Sequence, residues 1–178
     1  MFVTGYEKVF FRRDDKTMPE LIQHLLPRDW QPGQAAAAGI AATLAYSLVM
    51  EVDQYITGNR FHDVKFIQGL LGDTDASCKR TAALAWGLHF LNGALLGEVY
   101  AALGKRALPG PAWLRGTIFG EAFILTVWPL TPLIDRSHPM IKNGRLPRLA
   151  NWTSLWQNLL RHLAFGLTLG LLYHPRPK

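Results

Sequence analysis

The 178-residue chain is long enough for one domain, and 49% hydrophobic against 18% charged residues tips it away from a water-soluble surface and toward lipid. The net charge of +6 comes from Lys and Arg scattered through tails and loops, with no basic helix face and no nucleic-acid motif, which excludes a nucleic-acid partner and points to lipid headgroups. A single cysteine, Cys78, excludes an intramolecular disulfide.

Residues 1–34 form a tail in which Glu7, Asp14 and Asp15 interrupt the apolar and basic residues, so a signal peptide is not expected there. Within it, Leu21, Ile22, Leu25 and Leu26 fall on one side of a short helix bounded by Pro19 and Pro27. This segment is suited to lying flat on a membrane surface.

Residues 35–178 carry four apolar blocks, near 35–56, 81–103, 113–134 and 155–173, each close to the roughly 20 residues needed to cross a ~30 Å hydrocarbon core. The expected fold class is therefore all-α: an integral membrane four-helix bundle preceded by the interfacial helix. A soluble bundle would show a polar stripe every three or four residues, and the second block lacks one. Trp30, Trp86, Trp113, Trp152, Trp156, Tyr100 and Tyr173 cluster toward the block ends, as interfacial rings do. Lys and Arg are somewhat more numerous in the two tails and the second loop than in the first and third loops. That bias places both termini in the cytoplasm.

One string occurs twice, as His89-x3-Gly93-x3-Gly97-x2-Tyr100 in the second block and His162-x3-Gly166-x3-Gly170-x2-Tyr173 in the fourth. At 3.6 residues per turn, these positions form one narrow stripe on each helix. The recurrence implies two helical hairpins repeated in parallel, with Gly93, Gly97, Gly166 and Gly170 forming small-residue packing seams. His89 and His162 then sit at matched depth, roughly 10–13 Å from one membrane face at 1.5 Å per residue.

Ionisable residues inside spans are costly and are the first places to look for function. Glu51, Asp53, His89, Arg161 and His162, with Asn92 as a neutral partner, belong to the half near the first and third loops; Glu98 and Glu121 belong to the other half. For the first group a haem or chlorin held by two imidazoles competes with a polar network that only ties helices together. A non-haem metal on Glu51, Asp53, His89 and His162 is the weaker alternative, for there is no Glu-x-x-His or His-Glu-x-x-His motif. Glu98 and Glu121 are candidates for a proton relay. Pro129 and Pro132 are expected to bend or, more simply, to end the third helix near 134. The loop after the first block mixes charge with Phe61, Val64, Phe66 and Ile67 and is expected to fold back onto the membrane surface; the loop after the third is expected to be an irregular connector.

The glycine-rich first block with its acidic exit, the His-x3-Gly-x3-Gly-x2-Tyr block and a third block running into WPLTPLID together resemble small uncharacterised bacterial inner-membrane proteins of the YagU-like sort, over roughly 35–173. The resemblance implies a four-helix inner-membrane protein without an assigned reaction and carries no functional residues with it. The expected function is non-enzymatic: an accessory or packing subunit of a respiratory or photosynthetic membrane assembly, contacting lipid and other transmembrane subunits. A haem- or pigment-binding electron-transfer protein using His89 and His162 is the alternative, and a small proton-coupled transporter or channel the third.

Overall fold

A computed structural model of the chain describes residues 30–175; the interfacial helix expected over 19–27 lies outside the described residues. Every regular element among the described residues is helical. Helix α1 (Pro32–Thr57) starts with Pro at a first-turn position that needs no N–H donor, and stops at Gly58, whose φ of 69° is left-handed and whose N–H caps the carbonyl of Gln54. Helix α2 (Asp63–Leu70) follows, and then α3 (Lys79–Val99), which runs on through a wide π-helical turn at Tyr100–Gly104. Helix α4 (Ala112–Val127) passes through a single 3-10 turn, Trp128–Leu130, into α5 (Thr131–Ser137). Helix α6 (Pro139–Lys142) precedes α7 (Trp152–Leu172), which opens with the Asn151 side chain accepting from the Ser154 N–H.

The four apolar blocks are thus helical where expected. The continuous runs Pro32–Thr57 and Ala112–Ser137 are long and apolar enough to cross a membrane. The prolines do not end the third helix near 134: Pro129 and Pro132 occupy early positions of successive helical segments, and the Thr131 hydroxyl donates to the Trp128 carbonyl at 2.8 Å. With that carbonyl supplied, the chain stays helical to Ser137.

Helix α1 packs on both α3 and α7, and α4 packs on α7; α3 approaches α4 through the Tyr100–Gly104 turn at one end and stands apart from it elsewhere. The contacts are backbone to backbone. A methyl group added at Gly39, Gly97, Gly116 or Gly170 would overlap the carbonyl of Gly93, Ala35, Gly166 or Ala112 respectively. Only glycine permits that approach, and helix pairs so close gain van der Waals contact along their full length.

At the other end the first and third loops pack together. Phe61 joins Met140, Ile141, Leu146 and Leu149 in a small core of its own, and Phe66 stacks on His138 with centroids 4.1 Å apart. Asp135 accepts from the N–H groups of Leu149 and Ala150 at 2.7 and 3.0 Å. The third loop, expected to be an irregular connector, is therefore a folded cap that carries α6 and is pinned to Asp135 of α5. Its apolar residues are too few to show a period and become legible only against Phe61. The first loop folds back over the helix ends through α2, which packs on α3 and α6.

Polarity is inverted relative to a water-soluble helical protein. Leu44, Leu48, Leu91, Leu95, Leu160 and Leu171 are exposed, whereas Asp53, Gln157, Asn158, Arg161 and His162 are buried.

Candidate functional site

The polar interior is written on two helices. On α1 the residues Thr43, Tyr46, Ser47, Met50 and Asp53 recur at helical spacing on its buried face, and on α7 Ser154, Gln157, Asn158, Arg161, His162 and Phe165 do the same. Because α1 and α7 are packed against each other, the two stripes meet.

Arg161 is the centre of the first group. Its side chain is 0% exposed; Nε and Nη2 donate to the two oxygens of Asp53 at 2.6 and 2.7 Å, a bidentate pair. Nη1 donates to Asp63 Oδ2 at 2.9 Å and Nη2 also to the Phe61 carbonyl at 3.1 Å. Gln157 adds a hydrogen bond to Asp53 Oδ1 at 2.7 Å and is held in turn by Asn59. The guanidinium thus joins the last long helix to the first and to α2. A buried charge survives only with its partners saturated in this way.

The second group is built around Tyr46, whose hydroxyl donates to Asp63 Oδ2 at 3.1 Å. Its ring meets both imidazoles edge-on, with centroids 5.6 Å from His89 and 5.1 Å from His162. The hydrogen bonds fix both tautomers. Ser47 gives its only hydroxyl proton to the Thr43 carbonyl at 2.8 Å, so in the 3.1 Å contact with His89 it is Nε2–H that donates to Ser47 Oγ. His162 Nδ1 lies 2.8 Å from the Asn158 carbonyl, which can only accept, so Nδ1 carries the proton. Each neutral ring keeps one lone pair, on His89 Nδ1 and His162 Nε2. Both rings line a cavity of about 230 Å³ that lies where α3 and α4 stand apart, roofed by Asp63 and Phe66 of α2.

The structure gathers Asp53, His89, Arg161 and His162 in one region, and Asn92 lies exposed at the rim of the cavity. Glu51 is separate: it is exposed and accepts from His62 Nε2 at 3.0 Å, the other ring nitrogen of His62 accepting from the Val64 N–H. Burial pushes the His62 pKa down despite its carboxylate neighbours, so at neutral pH this contact is a hydrogen bond from an uncharged ring. The four residues considered for a non-haem metal do not converge. Among the described residues no three His, Cys, Asp or Glu side chains are grouped to hold a metal ion, because Asp53 is committed to Arg161 and Glu51 to His62. Glu98 accepts from the Trp30 indole at 2.9 Å, Glu121 is half-buried on α4, and neither lines the cavity.

Sequence reasoning missed Tyr46, Ser47, Asp63, Gln157 and Asn158. The stripe on α7 was available as a signal: Ser154, Gln157, Asn158, Arg161 and His162 share one side of the helix within an otherwise apolar block. Asp63 gave none, lying in a loop among other charges.

A family model described as a family of unknown function, DUF6789, matches residues 31–176. The chain belongs to the DUF6789 family. All of α1 to α7, and with them the histidine pair and the Asp53–Arg161–Asp63 network, fall within the matched stretch of the DUF6789 chain. No curated protein and no solved structure matches it.

Proposed function

We propose that this DUF6789 chain is a four-span integral membrane protein of two helical hairpins, working without catalysis as a binding or accessory subunit within the bilayer. The observation that carries the proposal is the inverted polarity: an ion-paired interior under an exposed leucine surface is stable in hydrocarbon and poorly suited to water. Supporting the hairpin reading, Ala35, Gly39 and Thr43 face the Gly93–Gly97 seam as Ala112, Gly116 and Gly120 face Gly166–Gly170, and Tyr46 meets His89 as Phe123 meets His162. With two hairpins, the loop cap lies on one side of the membrane and the termini on the other, and the distribution of Lys and Arg favours the cytoplasm for the termini. The exposed leucine faces are available to lipid and to partner spans.

Alkaline carbonate washing of membranes containing the full chain tests the embedding, and terminal reporter fusions test the topology. The protein is expected to stay in the pellet, and its release would sink the membrane reading. For the accessory role, extraction in mild detergent should recover the chain within a larger complex. A lone monomer without partners counts against it.

Haem binding is the second reading, favoured by His162, whose Nδ1–H is anchored on a backbone carbonyl while Nε2 stays open, the arrangement that orients an axial ligand. His89 does not match it, since its Nε2 is held by Ser47 and only Nδ1, beside its own backbone, is open. A reducible Soret band lost in both His89→Ala and His162→Ala would establish it; a colourless protein would dismiss it.

A further inference from the structure

We propose that the cavity between α3 and α4 binds a lipid-soluble organic ammonium, a primary or secondary amine in its charged form attached to a small apolar body. The inference rests on the reading of the protein as a binding subunit within the bilayer and names the class of its ligand.

The hydroxyl and imidazole donors of the cavity are already used, which leaves the Asn92 amide at its rim and one N–H of the Asn158 amide as its remaining side-chain donors. The hydroxyls of Thr43, Ser47 and Tyr46 go to the Gly39 carbonyl, the Thr43 carbonyl and Asp63, and each imidazole spends its single N–H on Ser47 Oγ or the Asn158 carbonyl. On the rings and the carboxylate, what remains is a set of acceptors: His89 Nδ1, His162 Nε2 and Asp63 Oδ1, since the Asp63 hydrogen bonds from Tyr46 and Arg161 both fall on Oδ2. A ligand that satisfies these three atoms brings N–H or O–H donors.

Charge decides between an amine and an alcohol. Asp53 and Asp63 face one guanidinium, Arg161, which gives Asp53 two hydrogen bonds and Asp63 one. Asp63 is the carboxylate of that group that lines the cavity, so the surplus negative charge lies at the cavity wall; Arg60 and Lys65, the nearest basic residues in sequence, lie exposed. A positively charged donor meets both needs at once. The rings of Tyr46, Phe66, Phe123 and Phe165 supply apolar wall and aromatic faces that attract a cation. At about 30 Å³ per water-sized volume, 230 Å³ accommodates roughly eight non-hydrogen atoms, a single ring with an aminomethyl group. Entry is sideways, past Asn92 on α3 and Val127 on α4, where the two helices do not close.

The test is equilibrium binding to the full chain in lipid nanodiscs, with benzylamine and its isostere benzyl alcohol as probes. Calorimetry supplies one readout, and the fluorescence of Trp86, whose ring lies 5.9 Å from His89, supplies another. Saturable amine binding at least tenfold tighter than that of the alcohol is expected, reduced tenfold or more by His162→Phe and by Asp63→Asn, and unchanged in Glu121→Gln. Asp63→Asn also disturbs Arg161, so His162→Phe, with its melting temperature checked, is the deciding variant. Equal affinity for amine and alcohol would overturn the assignment in favour of neutral hydroxyl recognition, and amine uptake that is unsaturable or indifferent to His162→Phe would remove the cavity as the site. Failure of the membrane reading shows separately, as release of the chain by carbonate. The same titration on released protein would still decide the cavity.

Discussion

The α1–α3 pair and the α4–α7 pair close on the same backbone device and differ in what they carry beyond it. In each, small residues four apart on one helix meet glycines four apart on the other, and a histidine follows at the same spacing from those glycines. The chemistry around the two histidines is unequal. His89 is tied to a side chain of the neighbouring helix, Ser47, whereas His162 is tied to the backbone of its own helix; Tyr46 stands in the first pair where Phe123 stands in the second. The close approach of helices depends on glycines at the crossing points, while the cavity wall beside it is free to be asymmetric. The lesson is that the seams build the scaffold twice and the binding surface only once.

The largest effect should come from removing the charge that joins the pairs. Arg161→Ala leaves Asp53 and Asp63 without their shared cation and is expected to cost about 3–5 kcal/mol, seen as loss of the folded peak in size-exclusion chromatography. Next come the seams, where Gly93→Ala and Gly166→Ala should each destabilise by about 1–3 kcal/mol in thermal unfolding, since the added methyl meets Thr43 in one pair and the Gly116 backbone in the other. The Gly93 site contains a side chain that can turn away and the Gly166 site contains only backbone, so Gly166→Ala should be the worse of the two. Equal effects would show that the seams are not distinguished in this way.

Outside the long helices, acid sensitivity sits with the loop cap. Burial holds both His62 and His138 below the ordinary histidine value of about 6.5, and His138 Nδ1 has no hydrogen-bond partner to receive a second proton. Their folded pKa values are depressed, so the unfolded chain takes up protons first. The stabilisation is complete above about pH 6.5 and is lost as pH falls through the folded values. The melting temperature should therefore drop between pH 7.5 and pH 5, and His138→Gln should shrink that drop; an undiminished drop would place the sensitivity elsewhere. The smallest effect is expected at Gly87, which has open space around it in the middle of α3: Gly87→Ala should be neutral or stabilising by up to ~1 kcal/mol, in contrast to every seam glycine.

How much of this the sequence revealed depends on whether the signal was periodic. The doubled His-x3-Gly-x3-Gly-x2-Tyr string located both seams, and the apolar blocks located all four long helices, because each is a local repeat on one helix. The role of Arg161 was not legible in the same way, since its partners Asp53 and Asp63 are 108 and 98 residues away and no spacing rule links them. The same holds for the cap, where Phe61 finds Met140 and Leu149 across the length of two long helices. The histidines stand out as residues in the sequence, but their open nitrogens depend on Ser47 and Asn158, and only the geometry of those contacts fixes the tautomers.

The distance along the chain between Asp53 and Arg161 has a consequence for how the protein is made. At synthesis rates of about 5–20 residues per second, the first helix waits roughly 5–20 s for the residue that neutralises it. Throughout that interval the growing chain holds a carboxylate with no counter-ion, and a polypeptide that ends before position 161 holds it permanently. On the membrane reading proposed above, that unpaired carboxylate marks an unfinished chain. Truncated chains should be cleared by membrane proteases while finished ones persist, so pulse-chase labelling of a chain stopped at residue 150 should show a far shorter half-life than that of the whole.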